Sequence, residues 1–202
     1  MDPSDFYHAG SRNLQDAFAS RPLADRLAKV TLRTAFTDSD RAFIESAGFF
    51  FLATADQEGR PDCSFKGGLP GFVRVTAPDA LAFPDYDGNG MFRSLGNLLV
   101  NCSVGLLFIA MGETPRRLRV NGTATLSRDD PVLAEFPGGQ LLVRVRAQAI
   151  FPNCPRYIPG EDGPSLHAPR PGVAPVEPAW KGFDSFRDVV PPRAVLPGRN
   201  PE

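Results

Sequence analysis

The sequence predicts a mainly β protein with a few short helices. Short apolar runs of strand length recur from residue 49 to residue 150, helical patterns are few, and residues 117–126 alternate between polar and apolar side chains. Closely spaced strands with few helices favour an antiparallel barrel or sandwich over a parallel, doubly wound sheet. At 202 residues and 42% hydrophobic composition, the chain can bury one substantial core.

Helical patterns occur in three places. Apolar residues recur at helical spacing from Asn13 to Lys29, and Pro22 should divide this stretch into two short helices. Thr37, followed by acidic residues, predicts a capped helix that runs to Gly48. The only helix predicted inside the strand-rich part covers Phe92 to Val100.

Seven strands are predicted from apolar runs and turn signals. The first is strongly apolar and is joined to the second by the turn Asp56–Pro61, so the two should form a hairpin. The strands are Phe49 to Ala55, Asp62 to Lys66, Gly71 to Thr76, Ala80 to Phe83, Val104 to Ile109, Arg117 to Ser127 and Gln140 to Ile150.

Changes in composition divide the chain into three predicted parts. Residues 1–48 form an N-terminal helical segment, residues 49–152 form the strand-rich body, and residues 153–202 form a proline-rich tail. Because Trp180, Phe183 and Phe186 are too apolar for a free tail, we expect them to dock on the core or on a second subunit.

Charge and composition exclude several classes of partner. The formal net charge is −1, from 22 basic and 23 acidic residues, so no overall field favours nucleic acid or an anionic membrane. No apolar run approaches the roughly 20 residues that span a bilayer, and no signal-like segment begins the chain, so we expect a cytoplasmic protein. Three widely spaced cysteines argue against a disulfide framework and a zinc site.

The segment from Ala82 to Asn97 is typical of a ligand-binding loop. It contains three glycines within nine residues, which allow close approach of the backbone, and several neutral polar side chains. A phosphate or a planar heterocycle would suit such a loop. A long hairpin connection that ends in a helix cap explains the same composition and stays open as the alternative.

Side chains that catalyse reactions by themselves are few. His8 and His167 are the only histidines, and both lie in terminal, irregular segments, which disfavours a catalytic triad. What remains suits a phosphorylated, flat cofactor that supplies its own chemistry, such as a flavin. The groups that suit it are Lys66 beside Gly67, Arg74 and Arg117 in strands, and the neutral partners Ser64 and Asn97.

An ordered set of motifs resembles the pyridoxamine 5'-phosphate oxidase-like flavoproteins, from about Phe49 to Tyr157. The motifs are FFLATAD at 50–56, CSFKGG at 63–68, PGFVRV at 70–75, FPDYDGNGM at 83–91, Asn97 ahead of VGLLF at 104–108, and RLRVNG at 117–122. The resemblance implies a split β-barrel that binds FMN at the interface of a homodimer.

The resemblance also implies roles for individual residues. Phe72, Val73 and Arg74 would run along the flavin edge, and Phe83, Pro84, Asp85 and the glycine loop with Asn89 and Met91 would surround the ribityl phosphate. Lys66 and Arg93 would contact the phosphate, and Arg117 the polar end of the ring. Asn153 and Arg156 lie where the family brings residues from the partner chain.

The function implied is that of an FMN-dependent oxidoreductase. Gly90, Met91 and Phe92 stand where the true oxidase carries a basic pair, so the substrate is left as an unidentified small molecule. A non-catalytic protein that uses the same fold to bind or sense flavin or haem is the alternative, since fold does not determine function.

Overall fold

The computed structural model of the protein describes residues 6–160, 163–173 and 176–191. They fall into two compact units, one spanning Arg33–Ser165 and the other combining residues from Met1–Leu32 and Leu166–Glu202. The first unit contains the sheet and the candidate site. Residues 161–162, 174–175 and 192–202 of the predicted tail lie outside the described residues.

Seven strands form one antiparallel sheet in the order β2-β1-β5-β6-β7-β4-β3. This confirms the predicted mainly β, antiparallel fold. The third strand begins later than predicted because residues 68–73 form turns before it. The strands are β1 (Phe49–Ala55), β2 (Pro61–Gly67), β3 (Arg74–Ala77), β4 (Ala80–Tyr86), β5 (Ser103–Ala110), β6 (Arg116–Ser127) and β7 (Gly139–Asn153).

The sheet curls around a core of aromatic and aliphatic side chains. Phe50 on β1 is fully buried, and its ring centroid lies 4.9 Å from that of Phe83 on β4. β1 and β4 are four steps apart in the strand order, which would separate them by about 19 Å in a flat sheet. The contact therefore requires strong curvature, and Phe72 and Phe108 complete the cluster around Phe50.

A bulge between the two longest strands contributes to this curvature. The register of β6 against β7 shifts between Asn121 and Gly122. A Cβ atom at Gly122 would lie 2.0 Å from the carbonyl oxygen of Arg146, so no other residue fits there without moving the backbone.

Four α-helices are described: α1 (Ala9–Ala17), α2 (Arg21–Thr31), α3 (Asp38–Ser46) and α4 (Arg93–Leu98). α3 confirms its prediction, including the cap: Thr37 Oγ1 accepts from Asp40 N at 3.1 Å, and Asp40 Oδ2 accepts from Thr37 N at 3.0 Å. The short 3₁₀ helix Pro131–Glu135 was not predicted from the sequence; Asp130 caps it by accepting from Val132 N.

The second unit packs the N-terminal helices with described residues of the tail. As predicted, the helical stretch is divided, with Pro22 in the first turn of α2. Arg26 on α2 donates to the Ser185 carbonyl at 2.8 Å and pairs with Asp188. Phe186 is buried and contacts Trp180 edge to face, whereas Phe183 is 56% exposed. Docking of these aromatics on the sheet core or a second subunit stays a prediction.

Within the described residues, each helix is either too short or too polar to traverse a bilayer.

Candidate functional site

The sheet unit contains an open cleft of about 910 Å³. Its lining comes from β2, the C-terminal half of β4, the connecting segment 87–92 and the first turn of α4, together with Phe72 and Gln140. The segment predicted to be a ligand-binding loop therefore forms one wall of this cleft.

Strand alternation places three polar side chains of β2 together in the cleft. Asp62, Ser64 and Lys66 are alternate residues, so they share one face of the strand. They pair in register with Thr54, Leu52 and Phe50 on β1, which are buried in the core. This face of β2 thus continues the inner face of the sheet, but with polar side chains at its edge.

A local irregularity brings consecutive residues of β4 to the cleft. The pairing of β4 with β7 shifts between Asp85 and Tyr86, which pair with Leu141 and Gly139 and leave Gln140 opposite no residue. Such a bulge changes the direction of nearby side chains. Gln140 lines the cleft, and its amide Nε2 donates to Asp87 Oδ1 at 3.3 Å.

The connecting segment is held by its own polar groups. Asn89 Oδ1 accepts a hydrogen bond from Met91 N at 3.0 Å, and Gly90 has φ +71°, a conformation that glycine adopts without strain. Phe92 has φ 47° and ψ 29°, in the left-handed region, and immediately precedes α4.

Hydrogen bonds join α4 to β2 at the side of the cleft. Ser94 is buried, and its Oγ lies 2.8 Å from both Asp62 Oδ2 and Ser64 Oγ. Because Asp62 only accepts when ionised, Ser94 donates to it and accepts from Ser64. Arg93 Nε lies 3.8 Å from Asp62 Oδ1, a loose ion pair whose arginine is 64% exposed.

Lys66 and Asp85 form the most enclosed charge pair of the cleft. Lys66 Nζ lies 3.7 Å from Asp85 Oδ1, and the two side chains are 20% and 12% exposed. Burial raises the pKa of Asp85 above its usual value, and the charge of Lys66 opposes part of this rise. Lys66 thus places a positive charge inside the cleft, and the Asp85 carboxyl group beside it pairs with this charge only loosely.

Nine of the sixteen predicted binding residues line this cleft. They come from distant parts of the sequence, and the folding of β2 against the β4–α4 segment brings them together. They are Ser64, Lys66, Gly67, Phe72, Pro84, Asp85, Asn89, Met91 and Arg93.

Four of the other predicted residues have structural partners in the sheet unit. Val73 and Phe83 are fully buried in the core. Arg74 pairs with Glu135, and its guanidinium lies 4.4 Å from the Phe136 ring centroid. Asn97 Nδ2 donates to Thr54 Oγ1 at 3.0 Å.

Of the last three predicted residues, Arg117 lies at the start of β6, Asn153 at the end of β7, and Arg156 three residues after that end. Arg117 pairs in register with Asn153 and donates to the carbonyl of Cys154. Asn153 Oδ1 is buried with no hydrogen-bond partner among the described residues. Arg156 stacks on Tyr157, with its Cζ 4.6 Å from the ring centroid. The contact of Arg117 with the polar end of the ring and the contribution of Asn153 and Arg156 to a partner subunit's site stay predictions.

The list of predicted binding residues lacked several of the residues that line the cleft. Asp62 could have been found, because it alternates with Ser64 and Lys66 on β2. No sequence pattern marks Gln140 as a binding residue, because its position in the cleft depends on the pairing of β4 with β7. The others, most of them within the recognised loop, are Phe65, Tyr86, Asp87, Gly88, Gly90, Phe92, Ser94 and Leu95.

Comparison with known proteins identifies the family. The family model for pyridoxamine 5'-phosphate oxidase matches residues 36–164, well over half of the chain. No curated protein shows a significant match.

The solved structures similar to this chain include the following three. A proposed pyridoxamine 5'-phosphate oxidase from Lactobacillus delbrueckii is 24% identical, with 59% of this chain and 95% of that chain covered and a TM-score of 0.45. The heme storage protein HutZ from Vibrio cholerae is 21% identical, with coverages of 54% and 88% and a TM-score of 0.43. An FAD binding protein from Mycobacterium smegmatis is 17% identical, with coverages of 60% and 97% and a TM-score of 0.42.

The residues matched by the family model include the whole curled sheet and every residue that lines the cleft. The chain therefore belongs to the pyridoxamine 5'-phosphate oxidase family.

Proposed function

We propose that the protein binds FMN in this cleft and acts as an FMN-dependent oxidoreductase on a small molecule. The observation that carries the proposal is the position of Lys66, an ammonium group inside a large cleft of a chain that belongs to this family. Lys66 would hold the phosphate, and Arg93 would add a second, more exposed cation at the wall.

The size and the surfaces of the cleft fit such a cofactor. Its volume of about 910 Å³ lies within the range of about 300–1,000 Å³ that is usual for small-molecule sites. Phe72, Pro84 and Tyr86 offer apolar surface for a planar ring, and the polar side chains of β2 offer hydrogen bonds.

The carboxylates that line the cleft would repel a bound phosphate, so cations or hydrogen-bond donors must offset their charge. Asp62, Asp85 and Asp87 line the cleft against two cations, Lys66 and Arg93. Asp62 already accepts from Ser94, and Asp87 from Gln140. Asp85 is the carboxylate beside the proposed phosphate site, so its charge should control how tightly an anion binds there.

The described lining of the cleft contains no histidine or cysteine, so it offers neither a cysteine nucleophile nor a histidine base to activate a serine, and in this proposal its side chains bind and orient the cofactor. A bound flavin supplies hydride or electron transfer by itself. In this proposal Lys66 attracts the anion, and the apolar walls exclude water from one face of the ring.

The proposal is tested by spectroscopy and titration. The purified protein should show or acquire flavin absorbance with FMN, and Lys66→Ala should weaken FMN binding by about 1–3 kcal/mol through loss of a charge-assisted hydrogen bond. Lys29→Ala, at an exposed position on α2, is the matched control and should bind like the wild type. A protein that binds no FMN, or an unchanged affinity in Lys66→Ala, would contradict the proposed site.

Reactivity separates the oxidoreductase from a protein that only binds or senses its ligand. A bound flavin that nicotinamide nucleotides reduce, and that an acceptor reoxidises at useful rates, supports the enzyme. A stable but unreactive flavin, or a haem spectrum in place of a flavin spectrum, favours the non-catalytic alternative.

We also infer that the curled sheet is a split barrel and that two copies pair across the mouth of the cleft. Three apolar lining residues are more than half exposed: Phe65 at 62%, Met91 at 66% and Phe92 at 52%. Exposed apolar surface around a cleft is typical of an interface, and the edge strands β2 and β3 leave pairing groups open. Light scattering should give a homodimer at micromolar concentration, and a monomer would contradict this inference.

A further inference from the structure

A second, smaller cavity of about 280 Å³ adjoins the cleft. It lies between α4 with the residues after it and the ends of β6 and β7, and we call it the apolar groove. Its side walls are formed by Phe92, Leu95, Leu99, Leu126 and Leu141. Phe92 and Leu95 line both the groove and the cleft, so the two cavities are neighbours.

One charged side chain lies among these apolar residues. Arg128 is the only charged residue in the groove's lining, and it is exposed. Its side chain makes no hydrogen bond or ion pair with any other residue that the structure describes. Because a guanidinium stays protonated, the groove combines an apolar surface with one permanent positive charge at its rim.

Phe92 lines both the groove and the cleft, and its backbone conformation is unusual. Apart from Ala19, it is the only non-glycine residue with positive φ in the described part of the chain. L-residues rarely adopt this conformation. Here it accompanies a half-exposed aromatic ring that lines both cavities.

We propose that the apolar groove binds the hydrocarbon part of a small carboxylic acid. Arg128 binds the carboxylate, and the apolar end lies against Phe92, next to the cleft. A guanidinium offers two parallel N–H donors that match a carboxylate, and the small volume suits a short acyl chain. That this acid is the substrate of the flavin site rests on the proposed function, whereas its binding is tested separately.

Calorimetric titration of the full chain with octanoate and with 1-octanol tests the proposal. Octanoate should bind more tightly than octanol, and Arg128→Gln should weaken octanoate binding about 3- to 10-fold while leaving octanol unaffected. Arg146→Gln is the matched control, since that arginine is 76% exposed and lines neither cavity.

A second pair of variants tests the apolar wall. Leu99 is 76% exposed, so Leu99→Asp should fold normally but weaken both ligands by at least about 10-fold, because a carboxylate would then lie in the groove. Val100→Asp is the control at an exposed neighbour outside the lining, and it should bind like the wild type.

The proposal is overturned if octanoate does not bind to the wild type. It is also overturned if octanoate binds to Arg128→Gln and to Leu99→Asp as tightly as to the wild type. It is also overturned if Leu99→Asp converts a dimer into monomers while octanoate leaves the wild type unchanged, because a second copy would then cover the groove. Flavin titration of the same variants separates the two proposals. Octanoate binding without FMN binding would refute only the flavin site, and the reverse would refute only the groove.

Discussion

Replacing Asp85 by asparagine should tighten FMN binding, because it removes a negative charge beside the proposed phosphate site. Lys66 Nζ lies 3.7 Å from Asp85 Oδ1. A phosphate within hydrogen-bond distance of Nζ would lie roughly 7 Å from the carboxylate. At that separation the two negative charges of a phosphate dianion are together repelled by about 1–2 kcal/mol at an effective dielectric of about 40–80, between that of a protein surface and that of water. Asp85→Asn should therefore bind FMN about 5- to 30-fold more tightly at pH 8.

The pH dependence follows from the raised pKa of Asp85. Burial favours the neutral carboxyl, so the folded protein binds this proton more tightly than the unfolded chain does. The resulting stability is fully present below the ordinary carboxyl pKa and is lost as pH rises through the raised value. Wild type should thus lose stability relative to Asp85→Asn across this interval, and the difference in FMN affinity should shrink as the pH falls below the raised pKa.

The assay is quenching of flavin fluorescence by wild type and variant, with FMN and with riboflavin at each pH. Because the ratio of variant to wild type is compared at one pH, titration of the phosphate itself cancels. Asp129→Asn, at an exposed position outside the cleft, is the matched control. The reasoning is refuted if Asp85→Asn binds FMN no better than wild type at pH 8, or if riboflavin gains as much as FMN.

Three further predictions concern the fold. Phe50→Ala should lower the free energy of unfolding by about 3–5 kcal/mol in urea titrations, because it empties the centre of a fully buried aromatic cluster. Gly122→Ala should destabilise by more than about 2 kcal/mol, or prevent folding, because its Cβ would overlap the Arg146 carbonyl oxygen. Thr37→Ala should cost about 1 kcal/mol in thermal unfolding, because α3 loses its capping hydrogen bond.

Matched variants separate these effects from general sensitivity to mutation. Gly96→Ala places the same methyl group in α4, where nothing lies within 4 Å, and should not destabilise the protein. Ser39→Ala changes an exposed hydroxyl two residues after the capping Thr37 and should leave the melting temperature unchanged. Equal losses in Gly96→Ala and Gly122→Ala would contradict the close approach at the bulge.

Local patterns predicted the elements well because the relevant interactions are close in sequence. The capping box of α3 joins residues three apart, and β1 was predicted with its exact bounds from seven consecutive strand-forming residues. The glycine-rich segment was identified as a ligand-binding loop because its composition is too rich in glycine and neutral polar groups for a core strand.

The contacts of individual residues were harder to predict, because the same type of side chain binds different partners depending on its tertiary surroundings. In the structure Arg74 pairs with Glu135 and Arg117 donates to a backbone carbonyl, partners that the sequence did not predict. Asn97 donates to Thr54 on β1, and the contacts of these three residues with a ligand stay predictions. No short-range pattern distinguishes these cases.

By itself the sequence determined the mainly β class, the approximate bounds of the strands and the segment that forms the wall of the cleft, since periodicity and turn chemistry act over a few residues. Only the tertiary structure decided that Lys66 of β2 lies beside Asp85 of β4 and that Gln140 enters the cleft from β7. These neighbours depend on strand order, on one bulge and on the curling of the sheet, which arise from contacts between residues far apart in the chain.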